Sequence, residues 1–327
     1  MGPYPSIRQL IRLSLAVGLL AAFLAPGPAQ AQGPPGSQGL WQTFTTANSG
    51  LRDNDVTALL EDRAGGLWVG TVGGVSRYFE GTWQTFSTES GSLGDNYVTA
   101  LLEDQAGGVW VGTDGGVSRY FEDIWQTFST ETGSLDHNNV TALLEDRAGG
   151  VWVGTYNGGV SCYFQGTWQT FSTETGSLRH DKVRALLGDR AGGVWVGTPS
   201  GVSRYVKGTW QTFAVDAGEM GSKKVTALLT DQAGGVWVGT RGRVSHYIDG
   251  TWQTFSIETG GLDSNQVTDL IADRTGGVWG GIWSSGVSYY FEGAWQTFSV
   301  ETGSLGSNYV TELLADQAGG VWVGTRG

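Results

Sequence analysis

Six basic side chains stand near one another in a chain that is otherwise acidic: Arg179, His180, Lys182, Lys223, Lys224 and Arg241. Guanidinium and ammonium groups offer positive charge and several N–H donors, so a group of them suits a carboxylate or a phosphate-like anion. An acidic sugar is one ligand of that kind. Tyr97, Tyr156, Trp283 and Tyr309 carry flat rings with a polar tip, on which a sugar ring could stack. Asp55, Asn139 and Gln266 add short polar groups at matching points of the sequence. Together these residues form the candidate ligand-binding set. The plainer reading of the basic members is a run of solvated charge.

Catalytic chemistry is harder to assemble. The three histidines are His137, His180 and His246. His137 and His180 could share a face, but two imidazoles without a third ligand make a weak metal site. Aspartates recur at one point of a repeated turn sequence, where a structural role suffices. No nucleophile elbow, phosphate loop or paired-carboxylate motif stands out. The expectation is a protein that is not an enzyme and uses no cofactor or metal. Cys162, the one cysteine, has no partner for an internal disulfide. It occupies the place that Arg77, Arg119 and Arg204 hold elsewhere, and reads as a tolerated substitution on a strand.

The elements that must position these residues follow from an internal repeat. Trp-Gln-Thr-Phe begins at Trp41, Trp83, Trp125, Trp168, Trp210, Trp252 and Trp295. A second tryptophan, within Val-Trp-Val-Gly-Thr or a variant, falls at Trp68, Trp110, Trp152, Trp195, Trp237, Trp279 and Trp322. Both series step by 42 or 43 residues. One period reads as four short strands: 56–62, 66–71, 74–79 and 83–86. The turn Asp62-Arg63-Ala64-Gly65-Gly66 lets an aspartate accept a backbone N–H two residues on, while glycine takes the positive φ. Such a sheet cannot cover both its faces alone, so neighbouring copies must stack. Four strands in about 42 residues match a propeller blade.

The fold expected is all-β: a seven-bladed propeller of four-stranded antiparallel blades. The blades fall at 56–86, 98–128, 140–171, 183–213, 225–255, 267–298, and 310–325 closed by 41–44. That last blade is expected to be incomplete, because its third strand is missing from the sequence. The repeated tryptophans then form the core between blades; a competing reading makes them sugar platforms, and an all-β solenoid is the architectural alternative. Near-identical copies and an open strand edge predict a tendency to dimerise or aggregate.

Composition agrees with short strands rather than helices. Fifty-five glycines would each cost a helix interior roughly 1 kcal/mol relative to alanine. The formal charge of −12 opposes nucleic-acid binding. The first 31 residues differ: Arg8 and Arg12 precede an apolar run from Leu13 to Leu24, and Ala29-Gln30-Ala31 follows. That is the layout of a secretory signal peptide over 1–31, with a linker at 32–40 and the propeller over 41–327. The twelve apolar residues are short for a span, which needs about 20. The mature chain is therefore expected to be periplasmic or secreted and not membrane-spanning.

The pattern Val-Thr-Ala-Leu-Leu-Glu-Asp, then Gly-Gly, Trp-Val-Gly-Thr and Gly-Val-Ser-Arg-Tyr, resembles the two-component regulator propeller repeat. The resemblance covers essentially all of the chain after the leader. Gly280-Gly281-Ile282 and Arg241-Gly242-Arg243 depart from the pattern. It implies the ligand-sensing portion of a membrane histidine kinase, a role in which glycans are common ligands. No ATP-binding or phospho-acceptor region accompanies it, so a separate signalling partner is implied. A protein–protein scaffold is the alternative, and a propeller lyase a further one.

Strand alternation sorts the loops onto two faces. The loop before the first strand and the loop between the second and third strands share one face, and these vary from copy to copy. The opposite loops are nearly constant. Variation confined to one face marks where specificity would sit; the bland account is free drift of exposed loops.

Overall fold

The computed structural model describes residues 44–214, 224–256, 266–315 and 320–326. All regular structure among them is β. The first blade is Val56–Glu61, Leu67–Thr71, Gly74–Phe79 and Thr82–Phe86, paired in chain order as an antiparallel meander. Five further four-stranded sheets repeat it, and the seventh is the two-stranded pair Val310–Ala315 and Val321–Thr325. The protein is thus a propeller whose last blade has two strands among the described residues. The segments 1–31, 32–40 and Trp41–Thr43, and with them most of the expected closing strand, lie outside the described residues. Phe44 is described, and its ring lies 5.5 Å from Tyr78 and 5.4 Å from Trp83. Phe86 meets Tyr120 and Trp125 of the second blade in the same way, so Phe44 occupies the place of a preceding blade's fourth-strand phenylalanine.

The turns show why the sequence breaks where it does. Asp62 N–H donates to Gly66 C=O and Gly65 N–H to Asp62 C=O, so both Asp62 and Gly66 belong to the turn and not to the strands. Glu80 and Gly81 both have positive φ, the type I′ geometry that matches strand twist in a two-residue hairpin.

Burial follows the expected tryptophan roles. Trp68, Trp110, Trp152, Trp195 and Trp237 are fully buried, each against the fourth-strand phenylalanine of its own blade and the Tyr–Trp pair of the next. The described Trp-Gln-Thr-Phe tryptophans, Trp83, Trp125, Trp168, Trp210, Trp252 and Trp295, are half-buried at the blade interfaces. Gly70 shows how tightly blades mesh: a Cβ there would sit 2.5 Å from Val98 Cγ1 of the next blade. The first strands of successive blades pack on one another and are the innermost. Thr141 Oγ1 donates to Val183 C=O across one such junction, and Leu313 N–H to Asp269 Oδ2 across another. The first strand of blade four starts at Ala185, two residues beyond the Val183 that opens the expected blade; Val183 N–H donates to Thr155 C=O of blade three.

Candidate functional site

In blades one, three, five and six the two variable loops meet at the inner end of the first strand. Val72 N–H donates to Asp55 C=O, Tyr156 N–H to Asn139 C=O, Arg241 N–H to Lys224 C=O and Trp283 N–H to Gln266 C=O. Each bond joins the residue before a first strand to the residue after the following second strand. Because first strands are innermost, these pairs encircle the axis on one face and form a mouth.

Side-chain contacts link the pairs around that mouth. Asn139 Nδ2 donates to Asp114 Oδ1 at 2.6 Å. Lys182 Nζ lies 3.4 Å from the centroid of the Tyr156 ring, a cation–π arrangement. Trp283 and Tyr309 meet edge to face at 5.4 Å. Tyr156 and Tyr309 remain 41% and 47% exposed, available to a flat ligand. Tyr97 and Trp283 are half-buried.

Charge is divided around the mouth. Asp53, Asp55, Asp95 and Asp114 belong to blades one and two, and burial, then Asp95, pushes the Asp114 carboxyl up. Burial, then Asp114 and Asp55, raises the Tyr97 phenol. Across the ring stand Lys182, Lys224 and Arg241 of blades four and five. The Lys182 ammonium lowers the Tyr156 phenol through hydrogen bonding and then charge.

Other members of the predicted set have different places. Lys182 N–H donates to His180 Nδ1, and Asn139 N–H to His137 Nδ1. Both histidines therefore close their own loops, as Asp53 and Asp95 do for Asp55 and Tyr97. Arg179 and His180 line a separate cavity of about 330 Å³ with Asn157, Thr173 and Asp181. Lys223 lies outside the described residues. Among the described residues, no three of His, Cys, Asp and Glu gather as metal ligands.

One residue of the mouth escapes a reading confined to loops. Arg184 replaces the threonine of Val-Thr-Ala-Leu-Leu that stands at Thr57, Thr99, Thr141, Thr226, Thr268 and Thr311. Its half-buried guanidinium is lowered in pKa by burial and then by Arg241. Its Nε is buried without a hydrogen-bond partner. The signal was present in the sequence as a break in the repeat within a strand.

The opposite face is stitched together. Arg63 Nη1 donates to Gln105 C=O, Gln105 Nε2 to Asp146 C=O and Gln232 Nε2 to Asp273 C=O, each linking one blade's turn to the next. Gln105 N–H also reaches Glu145 Oε1. These bonds tie turns of this face to the next blade.

The family model of the two-component regulator propeller matches residues 50–73, 92–115, 134–157, 177–200, 219–242 and 304–327. The chain is built of two-component regulator propeller repeats. Each matched segment spans the first two strands of a blade and ends at the mouth. Among solved structures, similar chains are the extracellular domains of two putative hybrid two-component systems of B. thetaiotaomicron. They are 21% and 23% identical to this chain, with TM-scores of 0.64 and 0.60. Each match covers 83% of this chain, which spans only 38% and 37% of those chains. A catalytically inactive virginiamycin B lyase from Staphylococcus aureus, solved with quinupristin, shares the fold at 10% identity and a TM-score of 0.58, covering 78% of this chain and 87% of that one. No curated protein sequence matches this regulator propeller. Among the described residues no helix is long and apolar enough to cross a membrane.

Proposed function

We propose that this chain is an extracytoplasmic recognition module of the sensor type, and that it binds a glycan or similar small ligand at the axial mouth. The observation that carries the reading is the contrast between the faces. One carries turns tied from blade to blade, while the other presents residues that vary from blade to blade, with exposed aromatic rings and charge of both signs. Rigid scaffolds commonly place specificity in such loops. Recognition without turnover fits the recurring aspartates, which are engaged in holding the fold. The kinship of the repeats with regulator propellers supports sensing.

A glycan array probed with residues 32–327 tests this. Binding should weaken about tenfold in Trp283→Ala and Tyr97→Ala, the loss expected on truncating an aromatic anchor. A folded, monomeric sample that binds no glycan, yet captures a defined protein partner through the same face, would replace this reading with a protein-contact scaffold.

A further inference from the structure

We infer that Lys182, Arg184 and Arg241, gathered about Tyr156, form an anion subsite, and that the ligand therefore carries a carboxylate or sulfate group. This rests on the mouth being the ligand site and adds the ligand's chemical class and its anchor.

Arg184 carries the argument. The same position holds threonine in the other six blades, so the fold asks for no guanidinium there. Placing one buries a cationic group beside a second cation, Arg241, which opposes its charge. Among the described residues, no carboxylate pairs with Lys182, Arg184 or Arg241. The buried Nε lacks a hydrogen-bond partner, as do the Oγ1 atoms of Thr57, Thr99 and Thr226 at the same position, but in blade four the group so placed is a cation. A sequence that breaks its own repeat at a structural cost marks a functional position. An anionic oxygen answers each of these features. It would accept from the Arg184 guanidinium, offset the repulsion between the arginines, and meet Lys182 above the Tyr156 ring.

The backbone holds the arrangement in place. Arg184 N–H donates to Gly197 C=O at 2.8 Å, and Val183 N–H to Thr155 C=O at 2.9 Å. Arg184 is thus tied to its own second strand at the junction with blade three, the blade that supplies Tyr156. Across the mouth, Asp114 disfavours an anion, so an elongated ligand binds in one direction.

The test uses the Arg Nε–Hε resonances of residues 32–327, titrated at constant ionic strength with sodium sulfate, sodium glucuronate and, as the uncharged control, glucose. Sulfate and glucuronate should move the Arg184 resonance saturably, and glucose should leave it in place. Arg184→Thr restores the repeat's own residue, so it should fold, melt no lower than the parent, and lose about tenfold or more in anion affinity. Anions that leave Arg184 unmoved, or that bind Arg184→Thr as well as the parent, overturn the inference. If a neutral glycan then still perturbs Trp283 and Tyr97, the anion subsite alone falls. If no glycan perturbs them, the reading of the mouth falls with it.

Discussion

At the scale of single residues, the recurring aspartate is the hinge of each blade. Asp62 Oδ1 accepts from Gly66 N–H, and Oδ2 accepts from Trp68 Nε1 and Arg77 Nε. Asp104 and Asp189 repeat that three-way clamp with Arg119 and Arg204. In blade three Cys162 replaces the arginine, so Asp146 keeps Trp152 but has no guanidinium. Asp146 is half-buried where Asp62, Asp104 and Asp189 are buried. Cys162→Arg should therefore complete the clamp and stabilise the protein by about 1–3 kcal/mol, the range for a hydrogen bond to a charged group. Its melting temperature relative to the parent checks this. Burial, then Asp146, pushes the Cys162 thiol up to about 12. At pH 8 it should resist iodoacetamide in the native state and react only after unfolding, as mass spectrometry would show. The sequence showed that Cys162 departs from its repeat, but not what the departure costs. The clamp joins a turn to two strands, and that alignment depends on register.

Within one blade, the order of strands was legible because turn sequences punctuate the chain at fixed spacing. Strand ends were less so: the sequence puts Asp62 and Gly66 both in the turn and at the ends of the flanking strands, and their backbone bonds assign them to the turn alone. Arg184 was hidden for a related reason. It sits in a strand, and its meaning comes from the residues of blades three and five that the fold brings beside it. Blade five offers a test of how much one clamp holds a sheet together. There His246 takes the arginine's place, stacking on Trp237 at 4.2 Å and lying 2.8 Å from Asp231 Oδ2. Burial raises the Asp231 carboxyl, but bonds from His246, Trp237 and Gly235 outweigh it and hold the pKa at about 2, below the usual 3.8. A carboxyl lowered on folding stabilises the native state above its unfolded value. That contribution, up to about 2 kcal/mol, is lost as pH falls from 3.8 toward 2. Asp231→Asn should thus be less stable than the parent near neutral pH and indistinguishable from it at pH 2. Urea unfolding at both values decides it, and a gap that persists at pH 2 would mean that the charge is not what stabilises the sheet.

Across the whole molecule, seven near-identical copies made the fold legible, yet identical sequence does not give identical burial. Val-Trp-Val-Gly-Thr is wholly buried at 109–113, 151–155, 194–198 and 236–240. At 321–325 the same five residues are half-buried or exposed, and Trp322 is 54% exposed, because no third strand covers them among the described residues. Val56–Glu61 is half-buried along most of its length and has no fully buried residue, whereas Val98–Glu103, with blades on both sides, has three of its six residues buried. In a repeat protein each unit is stabilised chiefly by its neighbours, so the units at the junction of blades seven and one should open first. Hydrogen exchange should find the amides of 321–325 least protected, those of 56–61 intermediate, and those of 109–113 and 151–155 most protected, with the extremes differing by roughly a hundredfold or more. Uniform protection at high dilution would show that the ring closes as tightly there as elsewhere. Protection of 321–325 that grows with protein concentration would instead mean that a second copy covers the exposed strand, the association that an unpaired edge invites.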